Sequence, residues 1–130
     1  MKKEIRILLV DDEADYLQAM AFWFRSKGYN VTAVSNGEHA LRLIRESPPD
    51  IAFIDVIMPS MDGAVVVKII REFNTTLPII MMSAYEKESK VKKKVNFYGV
   101  YCFFNKSEDF SKAKALLDSA LKLNEKLQDE

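Results

Sequence analysis

The stretch Ile51-Ala52-Phe53-Ile54-Asp55 decides the architecture. Its four apolar residues run without polar alternation, which suits a parallel strand buried on both faces, and an aspartate ends the run. The same pattern recurs on either side. Residues 5–10, apolar except for Arg6 and partly β-branched, read as a strand that leads into Asp11-Asp12. Residues 31–34 form a shorter run, residues 77–82 lead into Ser83, and residues 100–104 lead into Asn105-Lys106.

Helical spacing fills the gaps. Leu17, Met20, Ala21 and Phe24 share one helix face, and Gly28 closes that helix. Asn36-Gly37 opens a second helix with Ala40, Leu41 and Ile44 inward, stopped by Pro48-Pro49. Asp62 is placed to cap a third, whose stripe is Val66, Ile69, Ile70 and Phe73. A lysine-rich fourth helix is expected over 86–97, with Val91 and Val95 inward. The last starts near Asp109, carries Ala113, Leu117, Ala120 and Leu121 inward, and extends toward Leu127. Leu116, Leu123 and Leu127 form a second row there, read as a wide core face, with a dimer contact or linker as the alternative. Five βα units predict an α/β fold, a parallel five-stranded sheet covered on both faces by five helices, as a single domain over 1–130.

Bulk properties narrow the function. The 130 residues hold 19 basic and 19 acidic side chains, so no net charge draws the chain to nucleic acid or anionic lipid. The N-terminus shows no signal-peptide pattern, and no apolar run is long enough for a membrane span. Cys102 is the lone cysteine, so no internal disulfide forms, and it reads as a small core residue. A soluble, cytoplasmic protein is expected.

The chemistry lies at the strand ends. Asp11 and Asp12 follow the first strand, Asp55 the third, Ser83 the fourth and Lys106 the fifth. In an open parallel sheet these ends share one edge, where ligands bind. Three carboxylates brought together repel one another. A hard divalent cation with oxygen ligands relieves that, and magnesium suits a site that also handles phosphate. Lys106 adds a compact positive charge and Ser83 a hydroxyl donor. Each residue alone reads equally well as a turn or cap, Asp12 above all. Five at matching ends of four strands do not.

The segments Leu8-Leu9-Val10-Asp11-Asp12-Glu13, Asp55-Val56-Ile57-Met58-Pro59 with Asp62-Gly63, Met82-Ser83-Ala84 and Phe103-Phe104-Asn105-Lys106 resemble, in order and spacing, the motifs of response-regulator receiver domains. The resemblance covers about residues 5 to 123. It implies a flavodoxin-like, doubly wound sheet of order 2-1-3-4-5. It implies that Asp55 is the phosphoacceptor, a carboxylate nucleophile forming an acyl phosphate, and that Asp11, Asp12, Asp55 and the backbone carbonyl of Ile57 hold Mg2+. Lys106 and Ser83 would contact the phosphoryl oxygens, and Phe103 occupies the position of the family's switch aromatic. The implied donor is a histidine kinase or histidine phosphotransfer protein. The implied readout is the surface of the fourth helix, fifth strand and last helix, facing a downstream protein or an output domain absent from this chain. Such a domain is a signalling phosphoacceptor rather than an enzyme, a monomer or weak dimer.

One departure concerns the residue after the lysine, where the family usually has proline, often cis, and this chain has Ser107. A non-proline cis bond costs about 2.5–4 kcal/mol, so a trans bond with a shifted loop is the alternative. Ile57 and Tyr85 are bulky beside the site and are expected to shield an acyl phosphate from water. The lysines at 87, 90, 92, 93 and 94 read first as a solvated face. Phe22-Trp23-Phe24 cannot all face inward: Phe24 fits the inner stripe and Phe22 points away. His39 reads as a surface residue. Among rivals, an aspartate-nucleophile phosphatase would place an acid two residues after Asp55, where this chain has Ile57. A flavin carrier would need a phosphate-cradling loop, and Asp11-Asp12-Glu13 would repel phosphate. A degenerate receiver acting only as a binding module is disfavoured by the intact acidic set.

Overall fold

The structure, a computed structural model, describes residues 4–59, 61–84 and 98–129, with side chains through 125. The helix expected over 86–97, together with Tyr85 and the Leu127 side chain, lies outside the described residues. In chain order the elements are β1 (Arg6–Val10), α1 (Ala14–Ser26), β2 (Asn30–Val34), α2 (Gly37–Glu46), β3 (Ile51–Asp55), α3 (Gly63–Phe73), β4 (Ile79–Ser83), β5 (Cys102–Asn105) and α4 (Phe110–Asp129). The sheet has the order β2-β1-β3-β4-β5, and every described pairing is parallel.

Strand side chains alternate between faces, and here both faces are core. Leu8, Val10, Ala52, Ile54, Ile79 and Met81 pack with Ala40 and Ile44 of α2 and Val66, Val67 and Ile70 of α3. Ile7, Leu9, Ile51, Phe53, Ile80 and Met82 pack with Leu17, Met20 and Phe24 of α1 and Ala113, Leu117 and Ala120 of α4. All five residues of β3, and all five of β4, are buried. That is why neither run shows polar alternation.

The helix ends follow local chemistry. Asn36 and Asp62 cap α2 and α3, accepting from His39 N and Ala64 N. Gly28 follows α1 at φ +96, where a glycine ends a helix without Cβ strain. Phe22 points to solvent and His39 is exposed, as their positions predict.

Several boundaries move. The ladder of β4 starts at Ile79 rather than residue 77, because Pro78 has no N–H to give and offers only its carbonyl, to Ala52 N at 3.1 Å. β5 starts at Cys102 rather than residue 100, although Val100 is buried ahead of it. On this edge strand Cys102 is only half-buried, not a full core residue. In α3 the buried stripe runs through Val66, Val67 and Ile70. Phe73, expected inward, ends the helix 38% exposed, its ring 4.7 Å from the Arg45 guanidinium. The described peptide bonds are all trans, including Lys106–Ser107.

Candidate functional site

The ends of β1, β3, β4 and β5 bring the expected residues to one edge. Asp11 follows Val10 and is fully buried, anchored by its N–H to Val34 O at 3.2 Å. Asp55 and Ser83 are the last residues of β3 and β4, each only 5% exposed. Lys106 follows β5, and its N–H donates to Ser83 O at 2.8 Å. Phe103 is level with Met81 and packs, half-buried, against the core face covered by α2 and α3.

Behind Asp55 the backbone is tightly wound. Val56 N donates to Met82 O at 2.9 Å, and Gly63 N donates back to Val56 O at 2.9 Å. A Cβ at Gly63 would collide with the Asp55 carbonyl oxygen, so this approach is open only to glycine. Ile57 N reaches Asp55 Oδ1 at a long 3.4 Å, while the Ile57 side chain is 60% exposed.

Lys106 is the hub of the charges. Its ammonium lies 2.7 Å from Asp11 Oδ2, 2.7 Å from Glu13 Oε1 and 3.5 Å from Asp55 Oδ2. It also sits 4.6 Å from the centre of the Tyr16 ring, a cation–π contact. The contact to Asp11 Oδ2 is a buried ion pair, with both side chains almost wholly shielded from solvent. Burial alone would lower the lysine, but the Asp11 and Glu13 carboxylates more than reverse this and hold it above its ordinary value. Asp55 is pushed up to about 7, first by burial and then by the charge of Asp11, with Lys106 opposing. Tyr16 is pushed up to about 12, mainly by burial.

Carboxylate oxygens of Asp11, Asp12 and Asp55 lie within 4.8 Å of one another. An all-oxygen, anionic donor set of this kind fits a hard divalent cation such as Mg2+. Asp12, open to solvent beside the two buried carboxylates, leaves the cluster accessible to such an ion. Glu13 and Tyr16 carry no role on sequence grounds. Glu13 stands beside the acidic pair but reads as a helix start. Tyr16 lies one turn further and reads as part of a helix face. Nothing in spacing announces that both turn toward a lysine at the far end of the chain.

Residues 7–118 match the family model described as the response regulator receiver domain. The chain is 32% identical over 117 residues to the transcriptional regulatory protein ZraR of Escherichia coli (strain K12), covering 90% of this chain and 26% of that protein. It is 35% identical over 83 residues to the alkaline phosphatase synthesis transcriptional regulatory protein PhoP of Bacillus subtilis (strain 168), covering 64% of this chain and 35% of that one. It thus spans roughly a quarter to a third of the curated relatives it matches. A putative response regulator from Chloroflexus aurantiacus superposes with a TM-score of 0.85 at 28% identity, covering 92% of this chain and 99% of that one. A CheY-like receiver domain protein from Methanospirillum hungatei shares the fold, with a TM-score of 0.90 at 20% identity, over 95% of this chain and 98% of that one.

Proposed function

The chain belongs to the response-regulator receiver family of two-component signalling, and on that premise we propose that Asp55 is its phosphoacceptor. One observation carries the assignment: Asp55 is the buried carboxylate at the centre of the strand-end edge, with Asp11 and Asp12 on one side and Lys106 3.5 Å away.

The reaction follows from that placement. An Asp55 oxygen attacks phosphorus and forms the acyl-phosphate O–P bond, while the bond from phosphorus to the donor nitrogen breaks and its electron pair stays with the imidazole. Asp11, Asp12, Asp55 and the Ile57 carbonyl would hold a magnesium ion, which when bound supplies positive charge to the phosphoryl oxygens. Lys106 contributes a second, fixed positive charge, already oriented by Asp11. The Ser83 hydroxyl, at the end of β4, donates to a phosphoryl oxygen. Ile57, two residues after Asp55 with its side chain exposed, would limit the approach of water. Phe103, packed on the core face, is the residue that follows the loops when they move.

In this reading residues 1–130 form one receiver unit that acts in the cytoplasm as a signalling phosphoacceptor. Among the described residues no helix is long and apolar enough to cross a membrane. The donor is a histidine kinase or phosphotransfer protein, and the readout goes to a partner protein or an output domain. Incubation with Mg2+ and acetyl phosphate, followed by intact-mass and peptide analysis, tests the proposal. One phosphoryl group on Asp55, absent with chelator, is expected. Label on another residue, or none, overturns it.

A further inference from the structure

We propose that Glu13 is a built-in stand-in for the phosphoryl group, a carboxylate that occupies the Lys106 ammonium at rest and must release it when Asp55 is phosphorylated. The inference rests on the phosphoacceptor reading of Asp55 and adds a positioning residue to it.

The geometry sets the three carboxylates around Lys106 apart. Asp11 and Glu13 each stand 2.7 Å from Nζ, whereas Asp55 stands at 3.5 Å. The lysine side chain is 6% exposed and the Asp11 side chain fully buried, so that pair belongs to the frame of the site. The Glu13 side chain is 60% exposed, so its carboxylate can return to water at small cost. Lys106 donates a hydrogen bond to Glu13 Oε1 at 2.7 Å, while the one it aims at Asp55 Oδ2 is long at 3.5 Å. At rest, then, one of the ammonium's three N–H groups is engaged by a carboxylate other than the phosphoacceptor.

The backbone makes this arrangement reproducible. Glu13 N donates to Asp11 Oδ1 at 2.9 Å, tying the two residues together. Glu13 O accepts from Leu17 N at 2.9 Å, so the residue begins α1. It is the N-cap of that helix, yet its side chain makes no capping bond and is free to turn to Lys106. The Tyr16 ring also lies 4.6 Å from the ammonium, whose three N–H groups are shared among the carboxylates around it. A phosphoryl group on Asp55 brings about −1.5 to −2 charges and three acceptor oxygens, and outcompetes one solvated carboxylate.

The test uses the Mg2+-loaded chain with beryllofluoride as the phosphoryl mimic, read by calorimetry, and acetyl phosphate labelling in parallel. Glu13→Gln and Glu13→Ala are both expected to bind beryllofluoride about two- to fivefold more tightly than wild type and to label faster. Because the pair reaches solvent, the gap to wild type should narrow in high salt. Unchanged or weaker binding in both variants overturns the proposal, since a Glu13 that merely supports Lys106 predicts loss. A wild type that takes neither label nor beryllofluoride overturns the phosphoacceptor reading, and this inference falls with it. A wild type that takes both while the variants match it overturns this inference alone.

Discussion

Lys106 Nζ stands 3.5 Å from Asp55 Oδ2, at the outer limit of a hydrogen bond, although both side chains are almost wholly shielded from solvent. The lysine leans toward Asp11 and Glu13 instead. Asp55 is thus buried beside the charge of Asp11 with only a long contact to the lysine, and it is pushed up to about 7.

This has a consequence for stability without metal. A carboxyl whose folded pKa lies above its unfolded value contributes stability that is fully present below about 4 and is lost as pH rises through about 7. Asp55→Asn removes that loss. The variant should be more stable than wild type at pH 8 by about 2 kcal/mol, with the difference shrinking toward pH 5. Urea unfolding with chelator over this range reads it directly. Parallel pH profiles for the two proteins would contradict the electrostatic account. The same variant should take no phosphoryl label.

Much of this pocket is legible in the sequence, for a definite reason. Asp11, Asp55, Ser83 and Lys106 each end or follow an apolar run, and parallel strands align their carboxyl ends by topology alone. The continuous runs at 51–54 and 77–82 declare two-sided burial, and the structure buries all of β3 and β4. Legibility fails where orientation decides. Phe73 sits at apolar spacing but beyond the last buried turn of α3, where it meets Arg45 instead of the core. Cys102 lies in an apolar run but on the edge strand, half-covered. Glu13 and Tyr16 become visible only when Lys106 arrives from a distant part of the chain.

Metal binding should separate ligand from frame. Asp12 is exposed, so Asp12→Ala should leave the metal-free stability within about 0.5 kcal/mol of wild type. It should nevertheless weaken Mg2+ at least tenfold, because one of three anionic donors is gone. Calorimetric titration and the Mg2+-dependent rise in Tm measure the two effects separately. A variant that keeps the full thermal shift with Mg2+ would exclude Asp12 as a ligand.

Gly63 offers a backbone test. Its Cβ position falls on the Asp55 carbonyl, and its N–H holds Val56 O at 2.9 Å, so the turn after β3 cannot yield without moving Asp55. Gly63→Ala should cost about 2 kcal/mol by steric displacement, despite the better helix propensity of alanine. Denaturant unfolding gives the sign. A stabilised variant would mean that the approach of the two segments is looser than described.

Cys102 should be slow to react. Burial pushes its thiol up to about 11, with Lys112 opposing. At pH 8 the thiolate fraction is then about a hundredfold below that of an unfolded cysteine. Alkylation of the native chain by iodoacetamide should be slower by about that factor and should accelerate steadily toward pH 11. Native and urea-unfolded chains that react alike at pH 8 would show the thiol to be more open than its strand position implies.

The last expectation concerns how the site reaches the surface. Lys106 N donates to Ser83 O at 2.8 Å, and Ser83 is level with Asn105, so the ends of β4 and β5 are tied. A phosphoryl group adds about −1.5 to −2 charges between Ser83 and Lys106, and both can bond its oxygens. Drawing the two residues inward pulls on β5, where Phe103 lies two residues before Asn105 and packs half-buried on the core face. A phenylalanine has no hydroxyl to anchor it outward, so its two arrangements should differ little in free energy and shift easily. Helix α2 packs over β1, which lies two strands from β4 and three from β5 in the sheet order. Beryllofluoride with Mg2+ should therefore move backbone chemical shifts more across residues 86–110 than across 37–46, with the Phe103 ring among the largest changes. Larger shifts in 37–46 with Phe103 unmoved would place the readout elsewhere.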